Sequence, residues 1–359
     1  MARKKLLHVL YSGQGGLGTY FMNFVNSDQN GNFEHYAFFY GIEPLDEELK
    51  HFCLLNNINY RYQLRSGKLD LKAIRLCNNF IRKNRIEYVF LHTFSMSLLT
   101  FLAFFNSWKV IAVDHTTHHI KTKIEKIFTM LNHFFADKMV FFYKNQFDAI
   151  KGTFPFLCKR KNSIVIAKTV DTNAFKPHDT ISENEVFTLG VATRLVKGKL
   201  LDLLIQAIYE LKKEGYLVRL KIAGQGPEGE NMKKLTSSLG LTREIIFTGL
   251  LNRNDLIKFY QSLDIYVHPS EGETICYSIM EAQACALPIL ASNVDGISNY
   301  LSKENGGVLF NNTVGGIIEK LKLFYDNEEL MVEYSRSSRN AMIELFKKNN
   351  NSDCLLSIL

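Results

Sequence analysis

The sequence predicts an α/β fold made of two doubly wound domains. Two observations carry that expectation. Short β-rich runs alternate with helical stretches along the 359 residues. The alternation breaks once, over the polar stretch 171–185 that contains Pro177 and has no apolar period, and then restarts. Length agrees, since a chain of this size suggests about two domains and buries about three quarters of its unfolded surface without staples. The expected boundaries are 1–170 for the first domain, 171–340 for the second, and a tail over 341–359 that packs back on the first.

Taken in order, Leu6–Tyr11 is a short apolar run that leads into glycines, so it reads as a first buried strand, and a helix begins over Gly18–Val25. The segment Met1–Tyr11 mimics a signal peptide, but its apolar run is short, holds His8 and ends in a glycine loop rather than a cleavage site. His35–Tyr40 is an aromatic strand. Leu71–Lys83 is amphipathic at helical period. Tyr88–His92, Val110–Val113 and Met139–Phe142 are further strands. Between the last two, Ile120, Ile124, Ile127, Leu131 and Phe134 share a helix face, opposite Lys121 and Lys126. After the junction come strand Phe187–Ala192, helix Leu201–Glu214, strand Val218–Ala223, and strands Glu244–Phe247, Ile265–His268 and Pro288–Ala291. Ligands of such sheets bind beyond the carboxyl ends of the strands, so a cleft between two facing domains is the expected site.

Composition narrows the function classes. With 22% charged and 46% hydrophobic residues and only 6 Pro, the chain is neither disordered nor collagen-like. Its six cysteines (Cys53, Cys77, Cys158, Cys276, Cys285, Cys354) lack CxxC spacing and read as reduced cytosolic thiols. No apolar run reaches the roughly 18 residues of a spanning helix; Phe94–Phe105 comes nearest. A cytoplasmic protein is expected. Residues 1–175 hold 23 basic and 13 acidic residues, a net +10, while the remainder holds 20 and 23, a net −3. That asymmetry points the first half at an anionic partner: a phosphorylated substrate, a membrane surface or, least of all, nucleic acid, for which no binding module is present.

Three features could bind anions. Gly13-Gln-Gly15-Gly16-Leu-Gly18 lies between a strand and a helix, where glycines admit a close ligand and the helix start offers unpaired N–H groups. A tight turn explains it equally well, and no acidic residue ends the second strand, so the dinucleotide fingerprint is incomplete. Gly224-Gln-Gly226-Pro227 reads as a turn. Arg194 and Lys199 follow the strand ending near Ala192; they could hold a diphosphate or merely face solvent. The most specific feature is a pair of glutamates eight residues apart, Glu273 in a loop after a strand and Glu281 inside the next helix. Two such carboxylates can accept from the vicinal hydroxyls of a sugar and a ribose.

Glu273 to Glu281 matches the E-x7-E motif of the retaining glycosyltransferases of family 4, which have the GT-B fold. The resemblance covers most of the chain. It includes Gly15-Gly16, Val170-Asp171-Thr172 with Phe175 and Pro177, Arg194-Leu195, Asp202–Ile205, Ile222–Pro227, Phe247-Thr-Gly249, Leu263–Ser270, Glu281–Pro288 and Asp295-Gly296. It implies two Rossmann-like domains facing across a cleft, with the nucleotide-sugar donor on the second and a saccharide or glycolipid acceptor on the first. By match to the motifs, Glu281 holds the ribose and Glu273, with Thr274 and Ile275 beside it, the transferred sugar. Arg194 and Lys199 (or Lys197 in another register) grip the diphosphate with Gly15 and Gly16, and Gly249 lies in the donor site. His115 resembles the family's active-site histidine, with His118 and His119 as rivals.

The chain departs from the family at Leu200 and Ala286, where glycine is usual, and at Ile275-Cys276-Tyr277, often F-G-L. The resemblance implies retention, a UDP-sugar donor and surface polysaccharide or lipopolysaccharide assembly. No cofactor or metal is expected, since no Asp-x-Asp pair occurs. No separate carboxylate nucleophile is required, Asp114 being the least implausible. Lys121, Lys123 and Lys126, with Trp108 and Phe104–Phe105 near them, suggest a peripheral site on an anionic membrane. A nucleotide-sugar epimerase and a silent binding subunit are the alternatives.

Overall fold

The computed structural model describes residues 3–348 apart from 14, 29, 68–69, 117–120, 143, 154–161, 167, 169, 179–185 and 274–275. The chain divides into two compact units, one up to Lys168 and one over Thr169–Lys348. In the first, β1 (Lys4–Leu10), α1 (Gly16–Ser27), β2 (Phe33–Gly41), α2 (Glu47–Leu55), β3 (Asn59–Leu64), α3 (Leu71–Asn84), β4 (Tyr88–Leu91), α4 (Leu98–Phe104), β5 (Lys109–Val113), α5 (Lys123–Phe135), β6 (Lys138–Phe141), α6 (Lys144–Thr153) and β7 (Ser163–Val165) follow one another. All strand pairs are parallel, in the order β3-β2-β1-β4-β5-β6-β7.

The second unit contains β8 (Phe187–Ala192), α7 (Leu201–Lys213), β9 (Val218–Ala223), α8 (Gly229–Ser238), β10 (Ile245–Gly249), α9 (Arg253–Gln261), β11 (Ile265–His268), α10 (Tyr277–Ala284), β12 (Ile289–Ser292), β13 (Gly307–Phe310), α11 (Val314–Tyr325) and α12 (Glu328–Lys348). Its sheet is also parallel, in the order β10-β9-β8-β11-β12-β13. Helices on both faces of such sheets explain why the central strands are nearly continuous apolar runs. Leu189, Val191, Ile265 and Val267 are fully buried and pack against the face of α7 built from Leu204, Ile205, Ile208 and Leu211. Chain direction across each sheet reverses once, between β1 and β4 and between β8 and β11. These are the switch points at which doubly wound sheets bind ligands.

Helix α5 buries polar residues and exposes much of its apolar stripe. Its buried residues are Thr129, Asn132 and His133, while Ile124, Ile127 and Phe134 are about half exposed. Ile120 lies outside the described residues. Lys121 is not a solvated lysine: its ammonium is buried on the Asp114 carboxylate and also donates to Thr129 Oγ1 at 3.0 Å. Thr129 on the inner face of α5 thus helps to satisfy this buried pair. Trp108 is buried in the first core rather than lying at the surface.

A second buried polar row crosses the first unit. His8 on β1, His92 after β4 and His115 after β5 form a chain: His8 Nδ1 lies 3.4 Å from His92 Nε2, and His92 Nδ1 lies 3.0 Å from His115 Nε2. Neighbouring strands place the first two rings in a stack at 5.6 Å. Burial depresses all three, with His92 held at about 3, Lys168 adding to the effect at His92 and His115. Folding therefore keeps neutral what the unfolded chain protonates below about pH 6.5. The contribution to stability is complete above that pH and is lost on acidification, at up to about 1.4 kcal/mol per pH unit for each histidine. Urea midpoints should fall steadily from pH 6.5 to pH 5, and a His92→Gln variant should show a shallower fall. A flat profile over this window would contradict the neutral row.

Candidate active site

The second unit brings its candidate residues together at the carboxyl ends of the two strands flanking its switch point. After β8 the chain runs through Thr193 and Arg194 to a single 3-10 turn at Lys197–Lys199. This loop is anchored to the one after β9: Thr193 N–H donates to Ala223 O at 3.0 Å and Leu195 N–H to Gln225 O at 3.0 Å. Gly224 makes that approach possible, because its φ is +126° and a Cβ there would sit 1.9 Å from Thr193 O. The loop after β11 is tied to the same turn by Glu271 N–H donating to Gly198 O at 2.9 Å. Lys199 is thereby held beside Glu273, and their side chains form an ion pair. Lys197 is exposed, as is Arg194 at the start of the loop.

One oxygen of Glu273 gathers three donors. Oε1 accepts from His268 Nε2 at 2.8 Å, from Lys199 and from Ser270 Oγ at 3.3 Å. Burial would raise this carboxyl, but the hydrogen bond and charge of His268, joined by Lys199, outweigh it and hold the group at about 2. Tyr266 Oη lies 3.1 Å from Ala192 O and 3.3 Å from His268 Nδ1. The neighbours of His268 favour the charged imidazolium. Burial opposes that charge, yet Cys276 and Glu273 lift the ring to about 9. Cys276 Sγ lies 3.5 Å from His268 Nε2 and 3.0 Å from Ser278 Oγ, and the histidine lowers the thiol against its burial.

Glu281 sits in α10, 6% exposed, and accepts from Tyr260 Oη of α9 at 2.9 Å. The Tyr260 ring packs 5.7 Å from Tyr266, which stacks 6.1 Å from His268. The two glutamates thus lie at opposite ends of one aromatic ladder, Glu281–Tyr260–Tyr266–His268–Glu273. Gly249 ends β10 with φ +71°, and its carbonyl accepts from Gly224 N–H at 2.7 Å. Thr274 and Ile275 lie outside the described residues. The departures at Leu200 and Ala286 both fall at left-handed backbone, φ +45° and +63°. A side chain there costs about 1–2 kcal/mol that glycine would avoid.

In the first unit, Gly15 opens α1 with φ +132°, and nothing lies within 4 Å of a Cβ built on it. Backbone conformation, not crowding, calls for this glycine. Gly16 is the exposed first residue of that helix. His115 follows β5, held by His92 and by the rings of Tyr20 and Phe142 at 5.3 and 5.0 Å. Its Nδ1 has no partner among the described residues. His118 and His119 lie outside them. Asp114 is fully buried and committed to Lys121, so its carboxylate is in no position to serve as a nucleophile. Sequence reasoning missed His268, Tyr260, Tyr266 and Cys276 as members of the site. His268 ends the strand that leads to Glu273, and that position was the available signal.

Residues 173–341 match the family model described as Glycosyl transferases group 1. An uncharacterized glycosyltransferase of Haemophilus influenzae is 32% identical over 183 residues, 50% of each chain. The capsular polysaccharide biosynthesis glycosyltransferase CapM of Staphylococcus aureus is 28% identical over 172 residues, 48% of this chain and 44% of that one. The chain spans half or less of the length of these curated relatives. Among solved structures, Anabaena HepE in complex with UDP and glucose superposes with a TM-score of 0.81 at 15% identity over 100% of both chains. TarM superposes with a TM-score of 0.79 at 12% identity, covering 99% of each chain. The part of the chain that matches the glycosyltransferase model thus lies within the second unit, in a chain whose two parallel sheets have the GT-B fold.

Proposed function

We propose that the chain is a retaining glycosyltransferase of family 4 that moves a sugar from a UDP-sugar to a saccharide or lipid-linked acceptor in surface polysaccharide or lipopolysaccharide assembly. One observation carries the reading: a carboxylate kept ionised by Lys199 and His268 at the switch point of the second sheet, within a segment that matches a glycosyltransferase family. Ionised Glu273 accepts from hydroxyls of the transferred sugar, and Glu281 from the ribose. Arg194 and Lys199 offset the charge that grows on the leaving diphosphate, the kind of fixed electrostatic support that is usually the largest catalytic term. For this Lys199 must shift part of its contact from Glu273 to phosphate. Gly15, Gly16, Gly249, Thr274, Ile275 and His115 are assigned to the donor from the family resemblance.

The chemistry is a front-face displacement. The bond between the anomeric carbon and the phosphate oxygen breaks, and the acceptor oxygen bonds to that carbon from the same face. A donor phosphate oxygen takes the acceptor proton. Neither a carboxylate nucleophile nor a divalent metal is needed in this scheme. The UDP and glucose named with HepE and the capsular role named for CapM support the donor and the pathway class. Calorimetry on Glu281→Ala, with Tyr260→Phe as the control for the lost tyrosine contact, should show nucleotide affinity weakened by about 1–3 kcal/mol in the first variant alone. Unchanged affinity in Glu281→Ala would remove the ribose role.

The acceptor side has a surface feature of its own. Phe101, Phe104 and Phe105 of α4 and its end, and Ile124, Ile127 and Phe134 of α5, are 43–69% exposed. Phe135 joins the patch, with Phe101 and Phe104 rings 5.2 and 5.9 Å away. Lys123 and Lys126 lie on the same helix, and the first half of the chain carries the basic excess. We assign this face to an anionic membrane surface, with apolar side chains entering the interface and each lysine adding about 1 kcal/mol. Vesicles rich in anionic lipid should sediment the protein, and Phe104→Ser/Phe105→Ser should abolish most of that binding. Equal sedimentation with neutral vesicles, or an unaffected double variant, would overturn the assignment.

A further inference from the structure

We infer that His268, Glu273 and Cys276 form a binding site for a soft divalent cation of the zinc class, and that its occupancy excludes the donor sugar. The binding claim rests on geometry alone; the exclusion rests on the assignment of Glu273 above. One nitrogen, one oxygen and one sulfur from these residues lie within 4.8 Å of one another. A tetrahedral zinc, with Zn–S about 2.3 Å and Zn–N about 2.0 Å, sets sulfur and nitrogen roughly 3.5 Å apart. Cys276 Sγ and His268 Nε2 stand at 3.5 Å. The nitrogen-to-oxygen separation is 2.8 Å, about 0.5 Å short of the tetrahedral spacing, so the Glu273 carboxylate has to move away from the histidine to complete the site, with all three ligand atoms already within 4.8 Å of one another.

The partners around these three residues are those a metal site requires. A ligating histidine needs its second nitrogen held by a partner, and His268 Nδ1 lies 3.3 Å from Tyr266 Oη, itself 3.1 Å from Ala192 O. Ser278 Oγ lies 3.0 Å from the thiol sulfur, and Ser270 Oγ lies 3.3 Å from Glu273 Oε1. A dication here takes the place of Lys199 on the Glu273 carboxylate, and His268 Nε2 and the Cys276 thiol give up to solvent any proton they carry. Cys276 supplies the sulfur that selects zinc over magnesium or calcium, which favour all-oxygen sites. The family's usual glycine at this position offers no such ligand. Cys53, Cys77 and Cys285 are buried elsewhere in the two cores.

The test is a titration of the full chain with zinc chloride against a chromophoric chelator, repeated with Cys276→Ser and with magnesium chloride. One zinc should bind per chain in competition with the chelator. Affinity should fall at least tenfold in Cys276→Ser, and magnesium should not compete. Cobalt in the unaltered chain should give a sulfur-to-metal charge-transfer band, a readout that survives if the variant fails to fold. Zinc affinity unchanged by Cys276→Ser, or a cobalt spectrum without that band, would overturn the site. In a parallel arm, zinc should weaken binding of a UDP-sugar at least tenfold while leaving UDP affinity within twofold. If zinc binds through Cys276 and the sugar arm shows no competition, the cation site stands and the assignment of Glu273 to the sugar falls.

Discussion

A carboxylate removed from water stays ionised only when cations are removed with it, and the second unit is arranged around that constraint at Glu273. Lys199 arrives from the loop after β8 and His268 from the end of β11, the two strands where the winding direction reverses. Neither cation would be in place without the packing beneath it. Gly224 lets one loop close on the next, and Tyr266 turns the histidine so that its far nitrogen faces the carboxylate. The result is an acceptor that is charged, directed and largely shielded. Such an acceptor suits hydroxyl groups that must be held in one orientation while a bond breaks beside them.

The first unit handles polarity differently. Its histidine row carries no counter-charge and stays neutral because burial forbids the proton. A fully buried ion pair joins Asp114, next in sequence to His115, to Lys121, just ahead of α5. Breaking such a pair from one side leaves an uncompensated charge in the core, so it ties Lys121 firmly to the end of β5. Through Thr129 the same pair engages the inward face of α5, whose opposite side leaves an apolar surface outside.

Much of this was legible in the sequence. Parallel strands announced themselves as short apolar runs, and the spacing of Glu273 and Glu281 singled out the loop and helix that bear them. Packing preferences hid the rest. Periodicity on α5 marked the apolar stripe, but hydropathy cannot show that Lys121 would be drawn in by Asp114, nor that Trp108, expected near the membrane surface, is buried in the first core. The edge strand Asn59–Leu64 does carry a period of two, with Tyr60, Tyr62 and Leu64 alternating with polar residues, and was legible although it is half exposed. Leu200 and Ala286 looked like plain departures from a motif, and only backbone angles show that both occupy left-handed positions. For His268 the sequence offered only its position at the end of the strand that leads to Glu273, and a position does not show which neighbour the ring will face.

The central claim is that Glu273 recognises the sugar and not the nucleotide. It is tested most directly by measuring Glu273→Gln binding to UDP and to a UDP-sugar side by side, by calorimetry. The account predicts unchanged UDP affinity and a UDP-sugar affinity reduced by about 1–3 kcal/mol, the scale of a lost charged hydrogen-bond acceptor. Equal losses for both ligands, or none for either, would contradict it.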